Sequence, residues 1–137
     1  MRLHLLAVAV LVLADPCDPA TGPSGPLAQG TWGGENAGAV VNDTELHVHI
    51  GCTYGDAARP DLRGGNFEVT GRYNVTAHPV DLGVFHPARF VGRVRGDRLT
   101  LTVTLTDTQQ QLGPVSIVLG QEPRMGPCPI CRTPAER

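Results

Sequence analysis

The sequence predicts a small all-β domain, an antiparallel up-and-down barrel of about eight short strands. From Gln29 onward apolar residues recur with a period of two, and no ten-residue stretch carries the i, i+3, i+4, i+7 apolar face of a helix. The 17 glycines and 12 prolines among the 137 residues break this alternation into short segments. A chain of this length has room for one core, which indicates a single domain.

Closure of the sheet follows from the number and shortness of the segments. Strands with open apolar edges aggregate, so about eight of them must close on themselves or pair as two sheets. We expect the closed barrel, with a two-sheet β-sandwich as the alternative.

The N-terminal region predicts export. Residues 1–14 place Arg2 before an unbroken apolar run that ends on small residues, as in a signal peptide. Residues 15–28 are rich in Gly, Pro, Ser and Asp and are expected to form a disordered tether. The barrel is then predicted over 29–128 and a short tail over 129–137. No later run approaches the roughly 20 apolar residues of a transmembrane helix, so no transmembrane segment is predicted.

The clearest strand spans residues 98–106, where leucines and a valine alternate with threonines. Residues 88–95 alternate in the same way, and Gly96-Asp97 supplies a tight turn, so the two segments predict a hairpin. The remaining predicted strands are 30–32, 37–41, 45–53, 66–69, 72–77 and 115–119.

Charge composition argues against a polyanionic partner such as nucleic acid. The formal net charge is -2, and all 11 positive side chains are arginine. The local basic cluster is formed by Arg89, Arg93, Arg95 and Arg98 in the predicted hairpin. It is either a contact patch for an acidic partner or headgroup, or the charged sheet edge that prevents pairing with another chain.

Four cysteines in an exported domain indicate two disulfides, for which three connectivities are possible. Cys52 continues the apolar face that ends at Ile50, which directs it towards the core. Cys17 follows the predicted signal peptide closely and is a candidate for lipidation, which would provide a lipid anchor. Cys128 and Cys131 have the spacing of a redox motif, but no helix follows them and redox catalysis is not predicted.

Most of the predicted barrel resembles a group of short exported bacterial β proteins of uncharacterised function. The resemblance is carried by five elements: Gly30-Thr-Trp-Gly-Gly34, Gly51-Cys-Thr-Tyr-Gly55, Gly71-Arg-Tyr73, His86-Pro-Ala-Arg-Phe90 and 100–107, followed by a late cysteine. It implies a secreted or lipoprotein domain with a disulfide between Cys52 and Cys128 or Cys131. Gly30-Thr31-Trp32 is also similar to the Gly-x-Trp of the first strand of lipocalins, which implies a carrier of a small apolar ligand.

The histidines give the sharpest chemical hypothesis. His47 and His49 lie on one face of a predicted strand, about 6.6 Å apart by strand rise, a spacing at which both can bind one metal ion. Glu45 shares that face, and His78 and His86 lie in a segment that can fold over the sheet. Zinc is the possible cofactor. The alternative is that the pair forms the solvated polar face of an amphipathic strand.

Two classes of function therefore remain open, and no catalytic residue is assigned because nucleophile and phosphate-binding motifs are missing. The first is a non-catalytic binding or structural domain of the cell envelope that contacts an unknown envelope protein or surface. The second is a Zn- or Cu-binding or metal-dependent protein built on His47 and His49. In either class the protein is expected in the periplasm, on the outer membrane surface or outside the cell.

Overall fold

A computed structural model describes residues 22–128. The predicted signal peptide, Cys17, Cys131 and the predicted tail lie outside the described residues. The strands, numbered in chain order, are β1 Gly25–Pro26, β2 Gly30–Gly34, β3 Ala37–Val41, β4 Glu45–Ile50, β5 Thr53–Ala58, β6 Asp61–Leu62, β7 Asn66–Asn74, β8 His86–Arg95, β9 Arg98–Leu105 and β10 Gln111–Leu119.

Eight of these strands form a closed antiparallel barrel in the order β10-β2-β3-β4-β5-β7-β8-β9. Successive strands are neighbours, and β10 closes the barrel by pairing with β2 through Leu119 opposite Trp32. The prediction of a small all-β up-and-down barrel is therefore confirmed, and the sandwich alternative is wrong. Within residues 22–128 there is no helix of the length and apolarity that crossing a bilayer requires.

Large apolar side chains fill the inside of the barrel. Inward-facing positions alternate with exposed ones, as in β8, where Ala88, Phe90 and Val94 are buried between exposed neighbours. The side chain of Trp32 is 1% exposed, and its Nε1 donates to the Ala28 carbonyl oxygen at 3.1 Å. The other large side chains buried in the core include Leu46, Val48, Tyr73, Leu99, Leu101, Val103, Leu105 and Ile117.

The hairpin of β8 and β9 has the predicted two-residue turn, with Arg95 opposite Arg98. Two other strand predictions are corrected. The segment 45–53 is not one strand, because Gly51 takes a positive φ of 58° and reverses the chain after Ile50. The following strand β5 was not predicted. Cys52 consequently lies half-buried in a turn and does not continue the inward face of β4.

The second correction concerns β7, which was predicted as two strands separated near Gly71. The strand runs unbroken through this glycine. A β-carbon on Gly71 would lie 2.1 Å from the backbone oxygen of Asp56 on β5. Gly71 therefore permits close approach of two strands, a role that the sequence pattern does not distinguish from a break.

The end of the predicted tether packs against the barrel. β1 pairs with β6 in a small separate sheet. Leu27 is fully buried, and its backbone nitrogen donates to the Pro60 carbonyl at 2.9 Å. Residues 22–28 are thus part of the folded domain, because Leu27 gives this polar segment an apolar anchor.

The last described segment, residues 120–128, forms a C-terminal strap across the outside of β2 and β3. Arg124 anchors it through backbone hydrogen bonds with Gly34 and Asn36. A disulfide joins Cys52 to Cys128, with their Cα atoms 5.5 Å apart. This is one of the two pairings that the family resemblance implied.

Candidate functional site

His47 and His49 project from the outer face of β4, because Leu46 and Val48 occupy the inner face. The register of the β4–β5 hairpin places His47 opposite Asp56 and His49 opposite Tyr54. The strand pairing therefore gathers two imidazoles, a carboxylate and a phenol on one patch of the barrel surface.

The two imidazoles form a hydrogen bond between their Nε2 atoms, which are 2.9 Å apart, so one of these nitrogens carries a proton that a metal ion would displace. On its other side, Nδ1 of His47 contacts the Oδ1 atom of Asp56. Glu45 completes the donor set, since ligand atoms of Glu45, His47 and Asp56 lie within 4.8 Å of one another. The predicted His47/His49 pair thus lies within reach of two carboxylates.

Electrostatics favour a charged Asp56 and a neutral His49. Burial alone would raise the pKa of Asp56, but the hydrogen bond and charge of His47 outweigh burial and lower the pKa below its ordinary value. Arg72 adds to this effect, with Nη2 at 3.4 Å from Asp56 Oδ2. Burial, followed by the nearby charge of His47, lowers the pKa of His49.

Tyr54 contacts both histidines on one side and the neighbouring loop on the other. Its ring is nearly parallel to that of His49 at a centroid distance of 5.7 Å and lies 5.9 Å from that of His47. Its hydroxyl donates to Asp81 Oδ2 at 2.6 Å, and this hydrogen bond raises the pKa of Tyr54. Phe85 packs its edge against Tyr54, with the ring centroids 5.7 Å apart.

The loop between β7 and β8, residues 75–85, folds over the outer face of the sheet as the sequence suggested. Asp81 holds it there by accepting hydrogen bonds from Tyr54, from Nδ2 of the buried Asn74 and from the backbone nitrogen of Gly83. The Arg72 guanidinium also lies over the Phe85 ring at 4.2 Å.

The C-terminal strap bounds the site on the opposite side. Gly38 on β3 is the register partner of His49 on its outer face. A β-carbon on Gly38 would lie 2.3 Å from the Pro123 ring, so the strap rests directly on the glycine. His49, which is exposed, therefore lies on the sheet surface between the strap and the β7–β8 loop, and the Cys52–Cys128 disulfide ties down the strap.

The other predicted metal ligands are placed differently. His86, at the start of β8, directs Nδ1 to Asp107 Oδ2 at 2.7 Å, so its carboxylate partner differs from that of His47. His78 is exposed on the β7–β8 loop, and its charge contributes to the lowered pKa of His49.

The predicted arginine cluster lies on the outer face of the β8–β9 hairpin, and its members differ in pairing. Arg89 forms an ion pair with Glu68 at 3.7 Å. Within residues 22–128, Arg93, Arg95 and Arg98 take part in no ion pair.

Sequence reasoning missed Tyr54 and Asp56 as site residues. Asp56 lies within β5, a strand that was not predicted. A two-residue turn at Gly51 was the feature of the sequence that could have revealed them. Such a turn pairs Ile50 with Thr53, and this pairing fixes the partner of every other residue along β4. Counting in this way pairs His47 with Asp56 and His49 with Tyr54.

No protein-family model matches this chain, and neither the search of curated proteins nor the search of solved structures finds a match.

Proposed function

We propose that the protein is an exported, disulfide-linked β-barrel that binds one divalent transition-metal ion on its outer face through Nε2 of His47 and Nε2 of His49. The observation that carries this proposal is the 2.9 Å separation of these two atoms, with Nδ1 of the first ring held by Asp56. Export and a role in the cell envelope are supported by the signal-like N-terminus and the disulfide.

Asp56 selects which nitrogen of His47 binds the metal. A charged carboxylate accepts hydrogen bonds, so Nδ1 of His47 carries the proton and Nε2 keeps its lone pair. A carboxylate behind a ligating histidine fixes the orientation of the ring and increases its basicity. This arrangement favours the Nε2 pair over a site that uses Nδ1 with Glu45 and Asp56.

The lowered pKa of His49 supports metal binding, because a metal ion binds the neutral imidazole and must displace any proton. The ring therefore remains available to a metal ion at lower pH than an ordinary histidine would.

The donor set favours copper over zinc, because nitrogen and carboxylate donors bind Cu(II) more tightly than Zn(II) in the general order of divalent ions.

A carrier function inside the barrel receives no such support. The inward side chains of Trp32, Tyr73 and Phe90 are at most 1% exposed and occupy the volume in which a lipocalin-like ligand would lie.

The test is calorimetric titration of the metal-free full-length protein with Cu(II) and with Zn(II). We expect one ion per chain, with Cu(II) bound more tightly. His47→Ala and His49→Ala should each abolish saturable binding, and Asp56→Asn should weaken it by about 10- to 100-fold. Electron paramagnetic resonance of the Cu(II) form should show hyperfine coupling to two imidazole nitrogens.

His86→Ala is the matched control, because it removes another imidazole that is paired with an aspartate. This variant should bind metal as the unaltered protein does. Binding that survives His49→Ala but is lost in Glu45→Gln would overturn the Nε2 assignment. Absence of stoichiometric binding would overturn the proposed function. Because both histidines lie on the outer face, the variants should unfold at nearly the temperature of the unaltered protein.

A further inference from the structure

The turn end of the β8–β9 hairpin carries a recess with three arginines at its surface. Arg93, Arg95, Arg98 and Thr100 line this recess, which has a volume of about 300 Å³. We propose that this arginine recess binds the oxyanion of a phosphate group, either as free phosphate or as the headgroup of a lipid.

The charge of the three arginines is uncompensated. Arg95 and Arg98 are directly opposed across the ladder, and Arg93 is opposite Thr100. Like charges in opposed positions destabilise a sheet. None of the ion pairs among residues 22–128 involves these three guanidinium groups, and Asp97 in the adjoining turn pairs with none of them. Nη1 of Arg98 donates to the uncharged Ser116 hydroxyl at 2.9 Å, which leaves its other nitrogens for an anion. A bound anion would remove this repulsion.

Three other described arginines do form ion pairs. Arg89, four positions before Arg93 on the same strand, pairs with Glu68, and Arg124 pairs with Glu35 at 3.1 Å. Arg72 pairs with Asp56. Arg59 and Arg63, in the connections on either side of β6, take part in no ion pair among residues 22–128, so the recess is distinguished by its grouping of three arginines. Prevention of edge-to-edge pairing does not explain these charges, because β8 and β9 are each paired on both sides in the closed barrel.

The donors of the recess favour a phosphate group over a carboxylate. A guanidinium presents a planar fork of donors that matches phosphate and carboxylate oxygens. A carboxylate has only two oxygens, and one or two guanidinium groups are enough to donate hydrogen bonds to both. A phosphate group offers more oxygens and up to two negative charges, so it suits three guanidiniums and the Thr100 hydroxyl better.

Space for the rest of such a ligand adjoins the recess. Arg93 and Thr100 also line an open groove of about 860 Å³ over β7, β8 and β9. The groove includes Val69 and Val91 beside its polar residues. A group esterified to the phosphate could lie there.

The test uses the full-length protein at low ionic strength, titrated calorimetrically with inorganic phosphate and pyrophosphate. Co-sedimentation with phosphatidylcholine vesicles is measured in parallel, with and without phosphatidic acid. The double variant Arg95→Gln/Arg98→Gln should lose at least about tenfold in affinity, because each charge-assisted hydrogen bond contributes more than the 1.4 kcal/mol of one decade. The matched control is Arg89→Gln/Arg124→Gln, which removes the same charge from paired arginines and should keep the affinity.

The unfolding temperature provides a second test. Without phosphate, the Arg95→Gln/Arg98→Gln variant should unfold at or above the temperature of the unaltered protein, since the repulsion between the two opposed arginines has been removed. Phosphate should raise the unfolding temperature of the unaltered protein and of the control, but not of the variant. Saturable binding of free phosphate that is lost in Arg95→Gln/Arg98→Gln would identify phosphate itself as the ligand. Binding to phosphatidic acid vesicles alone, lost in the same variant, would identify the lipid headgroup. Equal affinity in the two double variants, or no saturable binding of either probe, would overturn the proposal.

Discussion

Removal of the Cys52–Cys128 disulfide should cost a large share of the stability of this domain. The bridge joins residues that are 76 positions apart in sequence. In the chain-entropy relation, a closed loop of this length reduces the entropy of the unfolded chain by an amount worth about 4.5 kcal/mol at 25 °C. Because native domains are stable by only about 5–15 kcal/mol, the double variant Cys52→Ser/Cys128→Ser should be close to its folding threshold.

Urea unfolding followed by the fluorescence of Trp32 measures this effect, since Trp32 is the only tryptophan and is buried. In thermal unfolding, the midpoint temperature should fall by about 15–20 °C, at roughly 4 °C per kcal/mol for a domain of this size. In the urea titration, the m-value, which is the slope of the unfolding free energy against urea concentration, should rise, because the unfolded chain without the bridge exposes more surface.

Arg124→Ala is the control for the disulfide experiment, because it weakens the strap without opening the bridge. It removes an exposed ion pair with Glu35 and should cost less than about 1 kcal/mol. A loss in the Cys52→Ser/Cys128→Ser variant no larger than that of Arg124→Ala would refute the argument that the bridge acts by constraining the unfolded chain.

Three further predictions concern the scaffold and the loop over the site. Gly71→Ala should destabilise the fold by about 1–3 kcal/mol in the urea titration, because its β-carbon would lie 2.1 Å from a backbone oxygen of β5. Gly126→Ala should be nearly neutral, because its β-carbon would meet the Asn36 side-chain oxygen at an ordinary contact distance of 3.9 Å. Leu101→Ala should cost about 2–5 kcal/mol in that titration, because this side chain is 0% exposed and the barrel cannot collapse around the void. Hydrogen bonds lower the pKa of Asp81, so its contribution to anchoring the loop should be present above the ordinary aspartate pKa of about 3.9 and be lost as the pH falls through the lower folded value. The Gly83 amide resonance should shift in that acid range, and a resonance that is unchanged there, or that shifts equally in Asp81→Asn, would contradict this assignment.

The alternation of apolar and polar residues was sufficient to predict the barrel, but not the boundaries of every strand. Glycine caused both errors, because the same residue type permits a reversal at Gly51 and close strand contact at Gly71. The errors compensated, since one strand, β5, was missed and two predicted strands were joined into β7. The number of barrel strands therefore agreed with the prediction although two of them were misplaced.

The sequence by itself determined that the chain is all-β and that His47 and His49 share one face, because side-chain direction in a strand depends only on position along the chain. The choice of a closed barrel over a sandwich required the strand pairing of the structure. Only the tertiary structure decided which groups surround that pair. Asp56 and Tyr54 come from the neighbouring strand, and Asp81 comes from a loop that returns to the same surface. These contacts depend on the register of the strands and on the path of the turns between them. Single glycines such as Gly51 determine where the chain turns, and the alternation of apolar and polar residues does not specify it.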